Sequence, residues 1–287
     1  DKEPYDGFSA DKIREYYLIN RLEKEERKFK LLLTQTDKNT LINLVSQKKE
    51  PPEHSIRIKA AFDFFQTKIA GLRSEIKYLC NGLAKLMVVS ISLAKEDNPQ
   101  LIFESMNSTG KELSQADLIR NYVLMDLPPE KQSHLYEEYW RRMETSFGQE
   151  AYEEHFDAFM RHYLTIRTGK IPRIRDVYKA FKEYSVDPKN PFTDIEKLLD
   201  DLCQLSTYYV SIALGKEKDK NLGQAFADLR ELNVDTSYPF VLEMYVDYSN
   251  NILAKNDFLK ILKLTESYVF RRYVCNIPTN SLNKTFA

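Results

Sequence analysis

The fold is decided around residues 98–124, which read NPQLIFESMNSTGKELSQADLIRNYVL. Pro99 suits the first turn of a helix, where its missing N–H removes no hydrogen bond. Residues 107–110 form a polar break that contains a glycine. Ser114 and Asp117 resemble a capping box in which Asp replaces the usual Glu, and they open a second helix. The stretch therefore predicts two helices joined by a polar turn.

Downstream of this stretch, apolar residues recur at the helical period, and almost only helices are predicted. Their approximate ranges are 128–147, 150–168, 173–185, 191–214, 221–233, 238–251 and 255–275. Trp140 lies on the apolar stripe of the first of these helices and is predicted to be a core residue. Residues 126–287 are therefore predicted to form an all-helical domain. Its border is placed at Leu127–Pro129, because proline disfavours a helix at the residue before it.

Upstream, helices alternate with two strand candidates. The predicted helices cover about 10–26, 37–46, 58–69 and 74–84. The predicted strands are residues 28–34 and residues 86–93, and the second is short, apolar and partly β-branched. Residues 1–125 are therefore predicted to be a small α+β part, and the fold class of the whole chain is mainly α.

Composition excludes several classes of protein. The 8 glycines among 287 residues leave little room for the tight turns of a β-sandwich or β-barrel. A net charge of -1 excludes a globally basic nucleic-acid coat. No apolar run reaches the length of a membrane span, so no membrane partner is expected. The 3 cysteines are far apart in sequence and form no pattern of a zinc site. Their odd number is typical of a reducing compartment and indicates a cytoplasmic protein.

The polar turn has the chemistry of a site for a metal-bound phosphate. It combines a carboxylate, an amide, a glycine that permits close backbone approach, a helix N-terminus and a cation. These are Glu104, Asn107, Gly110, Ser114 and Arg120. The same residues also suit an ordinary connector, with Glu104 as a solvated carboxylate, Asn107 as a C-cap and Arg120 in a surface ion pair. Composition and spacing alone leave both interpretations open.

The order of these residues resembles a signature of the GmrSD family of modification-dependent (type IV) restriction endonucleases. The pattern is Phe-Glu-x-x-Asn-x-x-Gly-x-x-Leu followed by Asp-Leu-Ile-Arg-Asn-Tyr. It falls on Phe103, Glu104, Asn107, Gly110, Leu113 and residues Asp117 to Tyr122. Residues 155–164, 167–170 and 270–284 are similar to the helical region of the same family.

The resemblance implies a nucleoside-triphosphate-binding domain with a ParB/sulfiredoxin-like fold, then a helical domain, then an HNH-type nuclease. Residues 1–125 correspond to the C-terminal part of the first domain, and residues 126–287 to the helical domain. Such proteins cut foreign DNA with modified bases or a modified backbone, which implies phage defence. The implied cofactors of the intact protein are Mg²⁺ and GTP or ATP. Glu104 would hold the metal, and the nucleotide would be bound by Glu104, Asn107, Gly110, Ser114 and Arg120.

The departures from the family pattern indicate a fragment. The Asp-Gly-Gln-Gln-Arg motif of the nucleotide reaction is absent, because Asp6-Gly7 is followed by Phe8. The 4 histidines form no His-Asn-His arrangement, so the nuclease domain is expected to be a further domain or subunit. The chain is therefore expected to be the middle of such a protein, without catalytic residues of its own and inactive alone. The alternative is a helical protein-interaction module with no nucleotide or DNA role.

Four basic residues are candidates for contact with DNA. Lys170 and Arg173 belong to the densest basic stretch of the chain, and Arg271 and Arg272 lie in the last long predicted helix. The alternative for the first pair is a solvated loop between helices. The alternative for the second pair is ion pairing with nearby acids such as Glu266.

Overall fold

The computed structural model describes residues 9–33, 35–72, 75–90, 92, 102–105, 113–125, 127–192, 194–278 and 281–286. These residues are helical over most of their length, which confirms the predicted mainly α class. Contacts between segments divide the chain into two compact units, residues 1–92 and 93–287. The domain border expected at Leu127–Pro129 separates the predicted α+β part from the predicted helical domain, and it stays a prediction.

The first unit consists of short helices. They are α1 (Ala10–Ile13, continued by a π-turn at Arg14–Leu18), a 3-10 turn at Glu25–Lys28, α2 (Gln35–Val45), α3 (Ile56–Ala70) and α4 (Ile76–Ala84). Ser55 fixes the start of α3, because its hydroxyl accepts a hydrogen bond from the Ile58 amide at 3.2 Å. The Ser55 amide in turn donates to the Thr40 hydroxyl of α2 at 2.8 Å, which joins the two helices in a buried contact.

Neither predicted strand forms among the described residues, so the expected α+β remnant with a ParB/sulfiredoxin-like fold is not confirmed. In the first candidate, only Phe29 pairs, in an isolated antiparallel bridge with Ile19. That bridge also ends the helix expected over residues 10–26. In the second candidate, residues 86–90 have no regular structure, and Met87 and Val88 are each 93% exposed. A strand needs a neighbour for its backbone hydrogen bonds, and apolar composition alone does not supply one.

The second unit is built from longer helices. Residues 102–105 are helical, and the further elements are α5 (Gln115–Leu124), α6 (Pro129–Leu135), a π-segment (Tyr136–Trp140), α7 (Arg141–Phe147), α8 (Gln149–Thr168), a 3-10 turn (Ile174–Asp176), α9 (Val177–Ser185), α10 (Ile195–Ala213), α11 (Lys220–Glu231), a 3-10 turn (Asp235–Ser237), α12 (Tyr238–Ser249), α13 (Lys255–Val274) and α14 (Leu282–Thr285). The prediction of helices throughout residues 126–287 is confirmed for the described residues. No described helix has the length and apolarity needed to cross a membrane.

An aromatic cluster forms the centre of the second unit. The Phe147 ring lies 5.3 Å from the Phe156 ring and 5.8 Å from the Tyr209 ring, measured between centroids. Trp140 is fully buried, as its helical stripe predicts, and its indole N–H donates to the Tyr152 hydroxyl at 2.9 Å. Each such buried side chain contributes about 1.5–3 kcal/mol of hydrophobic stabilisation. This core fixes α8, on which part of the candidate site is built.

The candidate phosphate site

The described parts of the signature are residues 102–105 and 113–125, which lie on either side of the predicted polar turn. Asn107 and Gly110 lie outside the described residues. Both described parts contact α9 through polar side chains.

The Glu104 carboxylate is held by two side chains of α9. Its Oε1 atom accepts hydrogen bonds from the Tyr178 hydroxyl and from the Lys182 ammonium, the latter at 2.8 Å. The Lys182 ammonium also lies over the rings of Tyr122 and Tyr178, 5.7 and 5.4 Å from their centroids. Glu104 and Lys182 are about 70% buried, so their opposite charges are only partly screened by water. The cation beside Glu104 in this structure is therefore a lysine.

The start of α5 is capped as the sequence predicts. The Ser114 hydroxyl accepts from the Asp117 amide at 3.1 Å and donates to the Asp117 carboxylate at 2.9 Å. The two preceding amides of the helix, those of Gln115 and Ala116, donate to the Asp157 carboxylate at 3.1 and 2.8 Å. The anion at this helix N-terminus is therefore a carboxylate of the protein itself.

A reciprocal contact caps α9. The Gln115 side-chain oxygen accepts from the backbone amide of Tyr178, at 2.9 Å. This amide lies in the first turn of α9, where it has no partner within the helix. Tyr178 thus donates its backbone N–H to Gln115 and its hydroxyl to Glu104.

Arg120 belongs to a different cluster of charges. Its guanidinium lies 2.8 Å from the Asp117 carboxylate and 3.0 Å from the Glu144 carboxylate, and Glu144 also accepts from the Tyr136 hydroxyl at 2.9 Å. Burial lowers the pKa of Arg120, but the negative charges of Asp117 and Glu144 outweigh it and raise that pKa above its ordinary value. The partners of Arg120 are therefore not those of Glu104, and the described contacts do not join the two residues.

The described residues contain no group of three or more His, Cys, Asp or Glu side chains that could hold a metal ion. Glu104, the predicted metal ligand, has a hydroxyl and an ammonium as its described neighbours on Oε1. A metal ion at Glu104 would therefore share the carboxylate with Tyr178 and Lys182 and draw further ligands from outside the described residues.

The predicted basic stretch divides into internal and exposed side chains. Arg161 donates to the carbonyl of Pro172 at 2.8 Å, and Arg167 forms an ion pair with Asp201 at 2.6 Å. Lys170 and Arg173 are exposed and pair with no acid among the described residues. An open cleft that includes Arg173 is lined by Leu113, Ser114, Gln115, Asp157, Arg173, Ile174 and Arg175. Arg173 thus lies beside the start of α5, which the sequence alone does not reveal.

The two arginines of α13 differ in accessibility. Arg271 is exposed and makes no ion pair with any described residue. Arg272 donates to the Pro278 carbonyl at 2.7 Å and to the Ser281 hydroxyl at 2.9 Å, and its guanidinium lies over the Tyr268 ring. The alternative of an ion pair with Glu266 is not found for either residue, because Glu266 pairs with Lys263 at 2.9 Å.

Three residues of this region were not among the predicted site residues: Asp157, Tyr178 and Lys182. Tyr178 and Lys182 are four residues apart and share one face of α9. That spacing predicts that the two side chains lie on one helix face, but it does not predict which segment packs on this face. Asp157 lies within residues 155–164, which resemble the family, but its role as a cap depends on contact with a distant segment.

A comparison with protein-family models identifies the N-terminal part of the chain. Residues 5–124 match the model described as GmrSD restriction endonuclease, N-terminal domain. The matched residues include the whole signature. No curated protein and no solved structure matches the chain.

Proposed function

The chain belongs to the GmrSD restriction endonuclease family through residues 5–124, and from this premise we propose that it is part of an NTP-dependent, modification-dependent DNA restriction protein. The single observation that carries the proposal is the family match, which spans the signature from Phe103 to Tyr122. In this proposal the chain supplies nucleotide-binding and helical regions, and a nuclease domain or subunit supplies DNA cleavage. We place the protein in the cytoplasm, with a role in defence against phage.

The nucleotide site is proposed at the predicted turn. Glu104, Asn107 and Gly110 form its ligand-facing part, with Glu104 on Mg²⁺ and Asn107 on phosphate or ribose. Ser114 and Arg120 organise α5, which follows the turn in sequence, through the cap at Asp117 and the ion pair with Glu144. When bound, Mg²⁺ would supply charge neutralisation for the phosphates of GTP or ATP. The half-buried position of Glu104 supports this assignment, because partial burial strengthens its attraction for cations.

Nucleotide binding to the protein at its natural length tests this assignment. A fluorescent GTP or ATP analogue is titrated with Mg²⁺ into the unchanged protein, Glu104→Ala and Asn107→Ala. Both variants should weaken binding at least about tenfold, which corresponds to about 1.4 kcal/mol. Glu231→Ala, which alters an exposed carboxylate at the end of α11, is the matched control and should bind normally. Unchanged affinity in both site variants would remove the site from the proposal.

DNA contact is proposed at Lys170, Arg173 and Arg271, whose exposed charges are available to phosphates. Arg272 is expected to contribute less to DNA binding, since its guanidinium already donates hydrogen bonds to Pro278 and Ser281. Its contribution is to hold Pro278 and Ser281 close to the end of α13.

One observation favours the second candidate, a helical protein-interaction module. The last turns of α13 and the residue stretch that follows it expose an apolar row with the spacing i, i+3, i+4 and i+7. It consists of Phe270, Tyr273, Val274 and Ile277, of which Tyr273 is 81% exposed. Such rows are typical of protein contacts. Absence of Mg²⁺-dependent nucleotide binding, together with absence of DNA binding, at natural length would favour this candidate over the restriction protein.

A further inference from the structure

An open cleft of about 490 Å³ in the second unit is lined by residues from the start of α5, from α8 and from the loop that leads into α9. Its volume is in the range of small-ligand sites. Arg173 and Arg175 line it from the loop, and the apolar residues of the lining are Leu113 and Ile174. All of the lining residues belong to the described part of the chain. We call this cavity the α5–α9 cleft.

The charges that line the cleft are unequally satisfied. Arg173 and Arg175 are exposed, and neither forms an ion pair with a described residue. The carboxylate of the lining belongs to Asp157, and its two oxygens accept hydrogen bonds from the backbone amides of Gln115 and Ala116. The positive end of α5 therefore offsets the charge of this carboxylate. Because the two guanidinium groups have no anion among the described residues, the cleft suits an anion that a ligand supplies.

Hydrogen bonds fix the backbone that carries the two arginines. Arg161 of α8 donates to the Pro172 carbonyl at 2.8 Å, and the Asp176 amide donates to the Arg173 carbonyl at 2.9 Å. Val177, which begins α9 directly after this turn, is fully buried. The guanidinium groups are thus carried by a backbone that is already ordered, which lowers the entropic cost of binding a ligand.

The residue types of the cleft indicate the chemistry of the ligand. A guanidinium group donates two parallel hydrogen bonds to two oxygens of one phosphate, whereas a lysine ammonium acts as a point charge. Ile174 lies between the two arginines in sequence, lines the same cleft and is 45% exposed. A phosphate ester, which carries a less polar sugar beside its charge, therefore fits this lining better than a free phosphate ion does.

We propose that the α5–α9 cleft is a binding site for a phosphodiester, with Arg173 and Arg175 as its two phosphate-binding residues. The assignment of this phosphodiester to DNA rests on the proposed function, whereas the site rests on the cleft and its charges. Arg173, already a candidate for DNA contact, thereby becomes one half of a two-arginine site, and Arg175 is the other half.

Binding of a fluorescently labelled oligomer of abasic deoxyribose phosphates to the 287-residue chain tests the site without any base. Anisotropy at physiological salt gives the dissociation constant. Arg173→Gln/Arg175→Gln should raise this constant at least about tenfold, because it removes two charge-assisted contacts. Lys131→Gln/Lys197→Gln removes two exposed positive charges of α6 and α10 and is the matched control, which should stay within about twofold of the unchanged chain. An equal rise in both double variants would overturn the site.

A conservative variant separates a built site from general attraction to positive charge. Arg173→Lys/Arg175→Lys keeps both charges and removes the paired donors, so it should raise the dissociation constant at least about threefold. A constant equal to that of the unchanged chain would overturn the two-arginine site. Both positions are exposed, so thermal unfolding of the variants should stay within about 2 °C of the unchanged chain. If the glutamine variant unfolds earlier, the lysine variant decides.

Two further ligands separate this inference from the proposed function. Duplex DNA that binds more weakly to Arg173→Gln/Arg175→Gln than to the unchanged chain supports both. Duplex DNA that binds both equally overturns the cleft site and leaves DNA contact to Lys170 and Arg271. Binding of thymidine monophosphate, weakened in the glutamine variant and without any binding of DNA or of the abasic oligomer, overturns the phosphodiester assignment together with the DNA part of the proposed function.

Discussion

The carboxylate of Asp157 accepts a hydrogen bond from the backbone amide of Ala116 at 2.8 Å, so a side chain of α8 caps the N-terminus of α5. The same carboxylate accepts the Gln115 amide at 3.1 Å. The helix start that the sequence marks as an anion site thus has an internal anion. This contact connects the end of the family-matched region with the helical part of the chain.

Asp157→Ala should destabilise the chain by about 1–2 kcal/mol, because two amides at the start of α5 lose their acceptor. Asp157→Asn keeps one acceptor oxygen, so it should lower the free energy of unfolding by less than half as much as Asp157→Ala. Denaturant unfolding measures both changes. Asp200→Ala, at an exposed position of α10, is the control and should stay within about 0.5 kcal/mol of the unchanged chain. Equal stability of Asp157→Ala and Asp200→Ala would show that the cap contributes nothing.

The buried His162 should make the chain sensitive to acid. Burial, with a smaller effect from the positive charge of Arg161, lowers the pKa of His162 to about 3. The unfolded chain binds a proton at this histidine near pH 6.5, whereas the folded chain does not until near pH 3. Stability is therefore fully present above pH 6.5 and falls by about 1.4 kcal/mol for each pH unit below it.

Urea unfolding between pH 7 and pH 4 measures this dependence. In His162→Phe, whose side chain suits the neighbouring rings of Tyr209 and Tyr238, the slope should be smaller by up to about 1.4 kcal/mol per pH unit. His155→Gln, at a partly exposed position of the same helix, should leave the slope unchanged. An identical slope in His162→Phe would show that His162 is not the group responsible.

The helices could be predicted from the sequence because each one carries its own signal. The apolar stripe around Trp140 and the cap at Ser114 are local, and the structure confirms both. The strands could not be predicted correctly, because a strand depends on a neighbour that the local pattern does not show. Residues 86–90 have the right composition and no partner among the described residues.

The candidate site was predictable in its residue types and not in its contacts. Glu104 and Lys182 are 78 positions apart, and Ala116 and Asp157 are 41 apart. Spacing within one helix cannot reveal such pairs, since they arise from the packing of residues 102–105 on α9 and of α5 on α8. For the same reason the sequence did not show that Arg120 pairs with Glu144 of α7.

The ion pairs of Arg120 should stabilise the contact of α5 with α7. Arg120→Met leaves the carboxylates of Asp117 and Glu144 side by side and partly buried, and should cost about 1–3 kcal/mol. The combined variant Arg120→Met/Glu144→Met should be more stable than the sum of the single changes predicts, which is the sign of direct coupling. Arg141→Met removes an exposed pair with Glu137 and should cost at most about 0.5 kcal/mol. Additive effects in the cycle would show that the two residues do not interact.

DNA affinity should depend on Lys170 and Arg173 through phosphate contacts. Neutralising both, as Lys170→Gln and Arg173→Gln, should weaken binding to duplexes of any sequence to a similar degree. The plot of log affinity against log salt concentration has a negative slope, and the double variant should make this slope less steep by about 2. The reason is that each phosphate that is no longer contacted keeps about one counterion, which binding therefore does not release. Fluorescence anisotropy with a labelled duplex at several salt concentrations measures the slope. The double variant Lys218→Gln/Lys220→Gln, at exposed positions just before and at the start of α11, is the charge-matched control and should leave the slope unchanged. An equal loss in this control would mean that net charge, rather than the loop after α8, determines binding.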